Sequence, residues 1–140
     1  MFRVVLPFLT GLILILGCDR GPAAPKRGKL EGKVTLNGKP VASGKVRLFA
    51  IDPNGTNVIA DIKDGAFSVP AEQGPTKGKY RVEFSVPSAT NRRIPNDDVP
   101  GQFIEEAPET LPPRYNRTSE ITLDYDPEQL QPREFHLTTP

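Results

Sequence analysis

The chain has 140 residues, a length that suits one domain with a modest core. Its 16 prolines and 12 glycines disfavour long helices and favour short strands joined by turns and loops. The 18 basic and 17 acidic residues leave a net charge of +1, so no field of one sign covers the chain and nucleic acid is not an expected partner. One cysteine excludes an internal disulfide, so the compartment has to be inferred from the N-terminus.

The first 17 residues have the pattern of a secretory signal peptide. Arg3 supplies a positive charge, and residues 4–16 are apolar apart from Thr10. These thirteen residues are too few to cross a bilayer as a helix, which takes about 20, but they match the apolar region of a signal peptide. The N-terminus therefore predicts export from the cytoplasm.

The single cysteine lies where the apolar run ends, in Ile15-Leu16-Gly17-Cys18. This motif resembles the lipobox of bacterial lipoproteins, in which a small residue precedes the cysteine that receives the lipid. The resemblance implies that residues 1–17 are removed and that Cys18 carries the acyl chains, palmitate among them, as a membrane anchor facing the periplasm. Asp19 favours the inner membrane, although inner and outer membrane both stay open. The polar, Pro- and Gly-rich residues 18–28 then form a flexible tether.

Two alternatives compete with lipidation of Cys18. The N-terminus is then either an ordinary signal peptide in which the cysteine occurs by chance, or an uncleaved helix that is buried in the protein.

The rest of the chain, residues 29–140, is predicted to form one all-β domain. Asn37-Gly38 and Asp64-Gly65 are strong signals for tight hairpin turns. Seven segments alternate apolar and polar residues as half-buried strands do: 30–36, 46–50, 58–62, 66–69, 80–86, 121–125 and 135–137. Together they predict a single antiparallel seven-stranded β-sandwich of transthyretin-like or immunoglobulin-like type.

One segment, residues 87–119, does not fit a minimal sandwich. It contains six prolines and a mixture of charges. A structureless loop of this length is uncommon in a compact domain, so the segment is either functional or packed over the sheet. Phe103 and Ile104 are expected to pin its middle onto the sandwich.

The order of short motifs carries a resemblance to a family. GKVTLNGKPVASGKVRLFAID is followed by ADIKDGAFSV and then by GKYRVEFSV. This series resembles the carboxypeptidase-regulatory-like (transthyretin-like) β-sandwich over about residues 29–138. The later LPPRYN is similar to small lipoproteins of planctomycete-type bacteria. The resemblance implies the fold and an accessory role, and it implies little about activity.

Charged side chains of the long loop are the nearest approach to a chemical site. The loop carries five acidic residues within the span 97–109: Asp97, Asp98, Glu105, Glu106 and Glu109. Because Arg92, Arg93 and Arg114 lie nearby, we expect a solvated loop whose charges neutralise one another. A weak Ca²⁺ site and a carboxylate pair for acid–base catalysis are the alternatives.

His136 is the only histidine, and it is predicted to face solvent because Phe135 and Leu137 beside it face inward. With no second histidine and no free cysteine in the mature protein, neither a zinc site nor a Cys–His or Ser–His–Asp triad can form. Asp61 and Asp64 are predicted to belong to a hairpin turn rather than to a calcium loop. No catalytic, cofactor-binding or metal-binding residue is predicted, and no cofactor.

These observations predict a non-enzymatic, lipid-anchored envelope protein that acts as a structural or protein-interaction module on the periplasmic side of a membrane. The alternative is a lipoprotein that binds carbohydrate or peptide with the loop around Phe103 and Tyr115, since tyrosine combines a flat apolar face with a polar tip. The expected partners are the membrane, through Cys18, and an envelope protein or a polysaccharide. An aromatic plug that holds the loop on the sandwich is the preferred role for Tyr115.

Overall fold

A computed structural model describes residues 21–140 and shows an all-β protein with ten strands. Two short 3₁₀ turns, Ala71–Gln73 and Pro113–Tyr115, are the helical segments within this range. The strands in chain order are β1 (Leu30–Leu36), β2 (Lys39–Pro40), β3 (Ser43–Ala50), β4 (Val58–Lys63), β5 (Ala66–Val69), β6 (Gly78–Ser85), β7 (Arg93–Pro95), β8 (Phe103–Glu105), β9 (Thr122–Tyr125) and β10 (Arg133–Leu137).

Eight of these strands form one curled sheet, in the order β10-β1-β5-β4-β3-β6-β9 with β2 paired to β1. The seven strands of the main path coincide with the seven that the alternation predicts. Their neighbours are antiparallel except for β1 and β10, which run parallel. The sheet is thus antiparallel, as the sequence predicts, apart from this pair, because residues 126–132 carry the chain from β9 across to the opposite edge, where β10 runs beside β1.

The curl of the sheet brings its two halves face to face. β4 and β5 are paired only at Lys63 and Ala66, next to the turn that joins them, so the sheet folds over at this hairpin. Across the interior, the ring of Phe135 on β10 lies 5.0 Å from the ring of Phe84 on β6, centroid to centroid. This arrangement is consistent with a β-sandwich in which β10-β1-β5 faces β4-β3-β6-β9.

The core consists of the inward-facing side chains of the alternating strands. Polar neighbours such as Glu31, Lys33 and His136 point outward, as the alternation predicts. The buried apolar residues are Leu30, Val34, Val41, Val46, Leu48, Val58, Ala60, Ile62, Phe67, Val69, Tyr80, Val82, Phe84, Leu111, Leu123, Tyr125 and Leu137. Removing this apolar surface from water supplies the main driving force for folding.

Both predicted hairpin turns are present. Asn37 and Gly38 have φ angles of 51° and 79°, and Asp64 and Gly65 have 50° and 78°. Positive φ at both central residues is the mark of the type I′ turn, whose twist matches that of the paired strands. The turns join β1 to β2 and β4 to β5.

A buried tyrosine hydroxyl fixes the start of β6. Tyr80 is 1 % exposed, and its hydroxyl accepts a hydrogen bond from the Thr76 N–H at 3.0 Å and donates one to the Thr76 carbonyl at 2.9 Å. The Thr76 hydroxyl is a third partner, at 3.1 Å. Such a bond from a tyrosine to the backbone a few residues upstream is the tyrosine corner found in β-sandwiches. It satisfies backbone groups that the turn leaves without a strand partner.

The N-terminal residues contact one end of the sheet, and the long segment leaves from the other. At the tether end, where β1 begins, Arg27 pairs with Thr76 and the Gly28 N–H donates to the Pro75 carbonyl at 3.1 Å. Two residues that the sequence assigns to the flexible tether are thus bound to the domain. The opposite end, where β6 finishes at Ser85, holds the long segment that begins at residue 87.

Replacing Tyr80 by Phe is expected to lower the free energy of unfolding by about 1–3 kcal/mol, because buried backbone groups of Thr76 lose their partner. The matched control is Tyr125→Phe, which removes one bond, from the Tyr125 hydroxyl to the Lys29 carbonyl at 2.9 Å. Urea denaturation of the two variants measures the difference. If both variants lose the same free energy of unfolding, the tyrosine corner has no special role in stability.

Candidate functional site

The long segment predicted at residues 87–119 contains a two-stranded ribbon, which we name the arm and define as residues 87–110. Its outgoing strand continues β6, and its return strand leads back to the core residue Leu111. β7 and β8 pair with each other and with no strand of the main sheet among the described residues. At about 3.3 Å per residue, ten residues of ribbon reach up to about 30 Å.

Backbone hydrogen bonds define the register of the arm. Near the base, the Ser88 N–H donates to the Pro108 carbonyl at 3.0 Å. Beyond Asn91, which has a φ of 59°, the register shifts, and Ile94 lies opposite Ile104. The shift adds residues to the outgoing strand, as a β-bulge does. Prolines and this bulge hide the strand alternation in the sequence, which explains why β7 and β8 are missed there.

Apolar side chains near the tip of the arm are exposed. Phe103 is 56 % exposed and Ile104 is 46 % exposed. The expectation that they pin the segment onto the sandwich is wrong, because the ribbon pairs with itself and extends from the sheet. Val99, in the turn between the strands, is also exposed. Phe103 and Ile104 are consecutive residues of β8, so their side chains lie on opposite faces of the ribbon, and a partner that covers both has to contact both faces.

Glu109 clamps the base of the arm. Its carboxylate accepts hydrogen bonds from the Ser85 hydroxyl at 2.7 Å and from the backbone N–H of Val86 at 2.9 Å, Leu111 at 3.0 Å and Thr110 at 3.1 Å. Partial burial opposes ionisation, but these donors together lower the pKa of Glu109 below its usual range. The carboxylate thus has a structural role, which no signal in the sequence indicates.

The other acidic residues of the loop do not meet at one point. Glu106 lies 3.5 Å from Arg92 and accepts a bond from Thr90, whereas Asp97 and Asp98 are exposed in the turn at the tip. Within residues 21–140 no group of three or more His, Cys, Asp or Glu side chains is placed to hold a metal ion. The mutual neutralisation expected from the sequence is present between Arg92 and Glu106.

Tyr115 packs against the hydrophobic core from the turn that follows the arm. Its hydroxyl accepts the Thr138 N–H at 3.0 Å, and the Arg114 guanidinium lies 4.9 Å from the ring centroid. One part of the ring therefore faces the core, and an arginine covers another, as expected of an aromatic plug. A sugar ring stacking on Tyr115 would have to displace Arg114.

The remaining sequence candidates lie in ordinary surface positions. His136 is exposed and its Nδ1 lies 2.9 Å from the Thr35 hydroxyl. Asp61 is exposed on β4, where an ion pair with Lys45 at 2.8 Å lowers the pKa of its carboxyl. Asp64 occupies the type I′ turn described above. None of the three adjoins the arm.

A charged cleft of about 510 Å³ lies at the tether end, between residues 52–55, 76–77 and 126–128. Four of its five charged side chains are paired: Lys77 lies 2.9 Å from Asp126, and Lys26 lies 3.3 Å from Glu128. The fifth, Asp52, has no ion pair within residues 21–140. The Glu128 N–H and the Lys77 ammonium lower the pKa of Asp126. Because four of these five charged side chains neutralise one another, the cleft carries little net charge to attract a ligand.

Cys18 and the predicted signal peptide lie outside the described residues. Between residues 21 and 140 there is no helix with the length and apolar character needed to cross a bilayer.

The Glu109 clamp predicts a specific loss of stability in acid. Because its folded-state pKa lies below the ordinary value of 4.5, the contribution is fully present above pH 4.5 and is lost as the pH falls through the folded-state value. Glu109→Gln is expected to lower the free energy of unfolding by about 1 kcal/mol at pH 7. Because the variant has no carboxylate to protonate at this position, its free energy of unfolding is expected to fall less in acid than that of the parent protein. Urea unfolding from pH 6 to about pH 3 measures both effects.

The control for this experiment is Glu120→Gln, since the Glu120 carboxylate makes no hydrogen bond or ion pair within residues 21–140. If both variants have the same pH dependence as the parent protein, the clamp is not the source of the effect.

Comparison with family models, with curated proteins and with solved structures finds no match to the chain. The function therefore has to be argued from the geometry of the arm and from the residues themselves.

Proposed function

We propose that this protein is a non-enzymatic interaction module, anchored in a membrane through Cys18 and contacting a partner protein through the arm. The observation that carries the proposal is the exposure of Phe103 and Ile104 on a ribbon that pairs with no other strand of the described chain. Burying the exposed part of two such side chains against a partner contributes a few kcal/mol, roughly 25 cal/mol for each Å² removed from water.

The placement of the two ends supports this proposal. The chain enters the sheet at the tether end, next to Arg27 and Gly28, whereas the arm leaves the opposite end after Ser85. A lipid on Cys18 therefore holds the tether end toward the membrane and presents the arm on the periplasmic side. The remaining short span, residues 18–26, sets how far the domain stands from the bilayer.

Binding of carbohydrate or peptide is the second candidate, and Phe103 is the observation that favours it. Its ring is more exposed than Tyr115, whose ring is occupied by the core and by Arg114. A polysaccharide partner would therefore stack on Phe103 alone. Binding to purified envelope polysaccharide, tested beside binding to envelope proteins, separates the two candidates.

The anchor is tested by Cys18→Ser. The variant is expected to incorporate no radiolabelled palmitate and to leave the membrane fraction, because the thiol that carries the lipid is gone. Membrane fractionation and labelling in a bacterial host measure both outcomes. Unchanged fractionation of the variant would refute lipidation and would leave the arm as the testable part of the proposal.

The role of the arm is tested with the double variant Phe103→Ser and Ile104→Ser. The intact lipoprotein is cross-linked in its native envelope, and the double variant is expected to lose the cross-linked partner because the apolar contact is removed. Ile59→Ser is the matched control, since Ile59 is 64 % exposed on β4, which lies outside the arm and two strands from β6 in the sheet order. Loss of the partner in the control, or its retention in the double variant, argues against the arm as the contact.

A further inference from the structure

The two edges of the arm differ in their free hydrogen-bonding groups. The Asn96 N–H donates to the Gln102 carbonyl at 2.8 Å, and the Glu106 N–H donates to the Arg92 carbonyl at 2.7 Å. Hydrogen-bonded pairs alternate with non-bonded pairs along an antiparallel ladder. The backbone groups of Arg93 and Pro95 on β7, and of Phe103 and Glu105 on β8, therefore point away from the partner strand, toward the outer edges.

The outgoing strand of the arm has prolines at outward positions, whereas the return strand has none. We call the edge of the return strand the open edge. On the outgoing strand the outward positions include Pro87 and Pro95, which have no N–H to offer. On the return strand the outward positions Phe103, Glu105 and Ala107 keep their N–H groups, and all three residues are exposed. An edge without proline is a template for a further strand.

The charge of the open edge indicates what such a strand carries. Glu105 has no ion pair within residues 21–140, although Arg93 lies opposite it in the register. Glu106 next to it is already paired with Arg92. An incoming strand with a basic side chain opposite Glu105 and apolar side chains opposite Phe103 and Ile104 complements this edge.

A second copy of the arm is poorly suited to pair with the open edge. Two return strands that pair around a two-fold axis near Glu105 bring Glu105 and Glu106 of both copies close together, which is destabilising for like charges. The outgoing edge offers no better pairing, because Pro87 and Pro95 interrupt it.

We propose that the open edge of the arm, residues 103–107, binds an extended segment of a partner protein by β-strand addition, with a basic residue of that segment opposite Glu105. The inference rests on the proposed interaction role of the arm and specifies its chemistry. Main-chain hydrogen bonds give the affinity, and the side-chain pattern gives the specificity. A two-stranded ribbon is only marginally stable in water, so a third strand also stabilises the arm itself.

The test supplies such a strand within the same molecule. The peptide Thr-Lys-Ile-Tyr-Thr, antiparallel to the return strand, places Lys opposite Glu105, Ile opposite Ile104 and Tyr opposite Phe103. It is fused after Pro140 of the full chain, at the arm end of the sheet, through a Gly/Ser linker of about 30 residues, whose span of roughly 30 Å matches the arm. Tethering gives an effective concentration of the order of millimolar.

Amide hydrogen exchange at Phe103 and Glu105 is the readout. Both amides point to the open edge, so their exchange is expected to slow with the fused strand and to stay fast with the linker alone. Contact through side chains only would leave these two amides unprotected. Fast exchange of both amides in the fusion would overturn strand addition.

Two proline variants make a matched pair. Glu105→Pro removes an outward N–H from the open edge and is expected to abolish the protection, which is then read at Phe103. Arg93→Pro removes the corresponding outward N–H from the edge of the outgoing strand and is expected to leave the protection intact. Exchange in β6 checks that the sheet stays folded in both. Protection that survives Glu105→Pro would contradict the proposal.

A charge exchange tests the basic residue. Glu105→Lys keeps the backbone N–H and is expected to lose protection with the Lys-bearing strand and to regain it when that Lys is replaced by Glu. Protection that does not respond to either charge would contradict the assigned specificity.

Strand addition at the open edge and the interaction role of the arm are tested by different outcomes. If the fused strand gives no protection but the variant Phe103→Ser with Ile104→Ser still loses its partner in the envelope, strand addition is wrong and the interaction role of the arm survives. If that variant keeps its partner, the interaction role itself is wrong.

Discussion

The inner face of β6 carries Tyr80, Val82 and Phe84, and the burial of these three side chains organises the molecule. β6 is hydrogen-bonded to β3 on one side and to β9 on the other, and Phe84 contacts Phe135 of the opposite half. The hydroxyl of Tyr80 ties the start of the strand to the preceding turn. Because the apolar faces of both halves have to leave water together, the half that contains β10 folds over the inner face of β6.

β6 also connects the core to the candidate site. The strand ends at Ser85, and the chain continues in the same direction into the arm, so a rigid central strand directs the projecting ribbon. Glu109 secures this junction with four hydrogen bonds, and Leu111 returns the chain to the core. A ribbon with a fixed base and an unpaired edge loses less conformational entropy on binding than a flexible loop does.

Much of the fold was predictable from the sequence, whereas little of the candidate site was. All seven alternating segments are strands of the main sheet, and both Asn-Gly and Asp-Gly turns are present, because these signals depend on neighbours within a few residues. For the arm the sequence predicts a loop, since its prolines and the bulge at Asn91 break the two-residue period. The sequence predicts a buried Phe103, because an apolar side chain favours burial, whereas the sequence does not show whether a surface exists to cover it.

The sequence by itself determined which residues face inward on each strand, where two turns reverse the chain and that Cys18 lies in a lipobox-like motif. Only the tertiary structure decided that β10 lies parallel to β1, that Glu109 is a clamp and not a ligand, and that one edge of the arm is open. The physical reason is the range of the interactions. Alternation and turn chemistry act between near neighbours, while strand pairing, hydrogen bonding of the Glu109 carboxylate and exposure of an edge depend on segments that are distant in the chain.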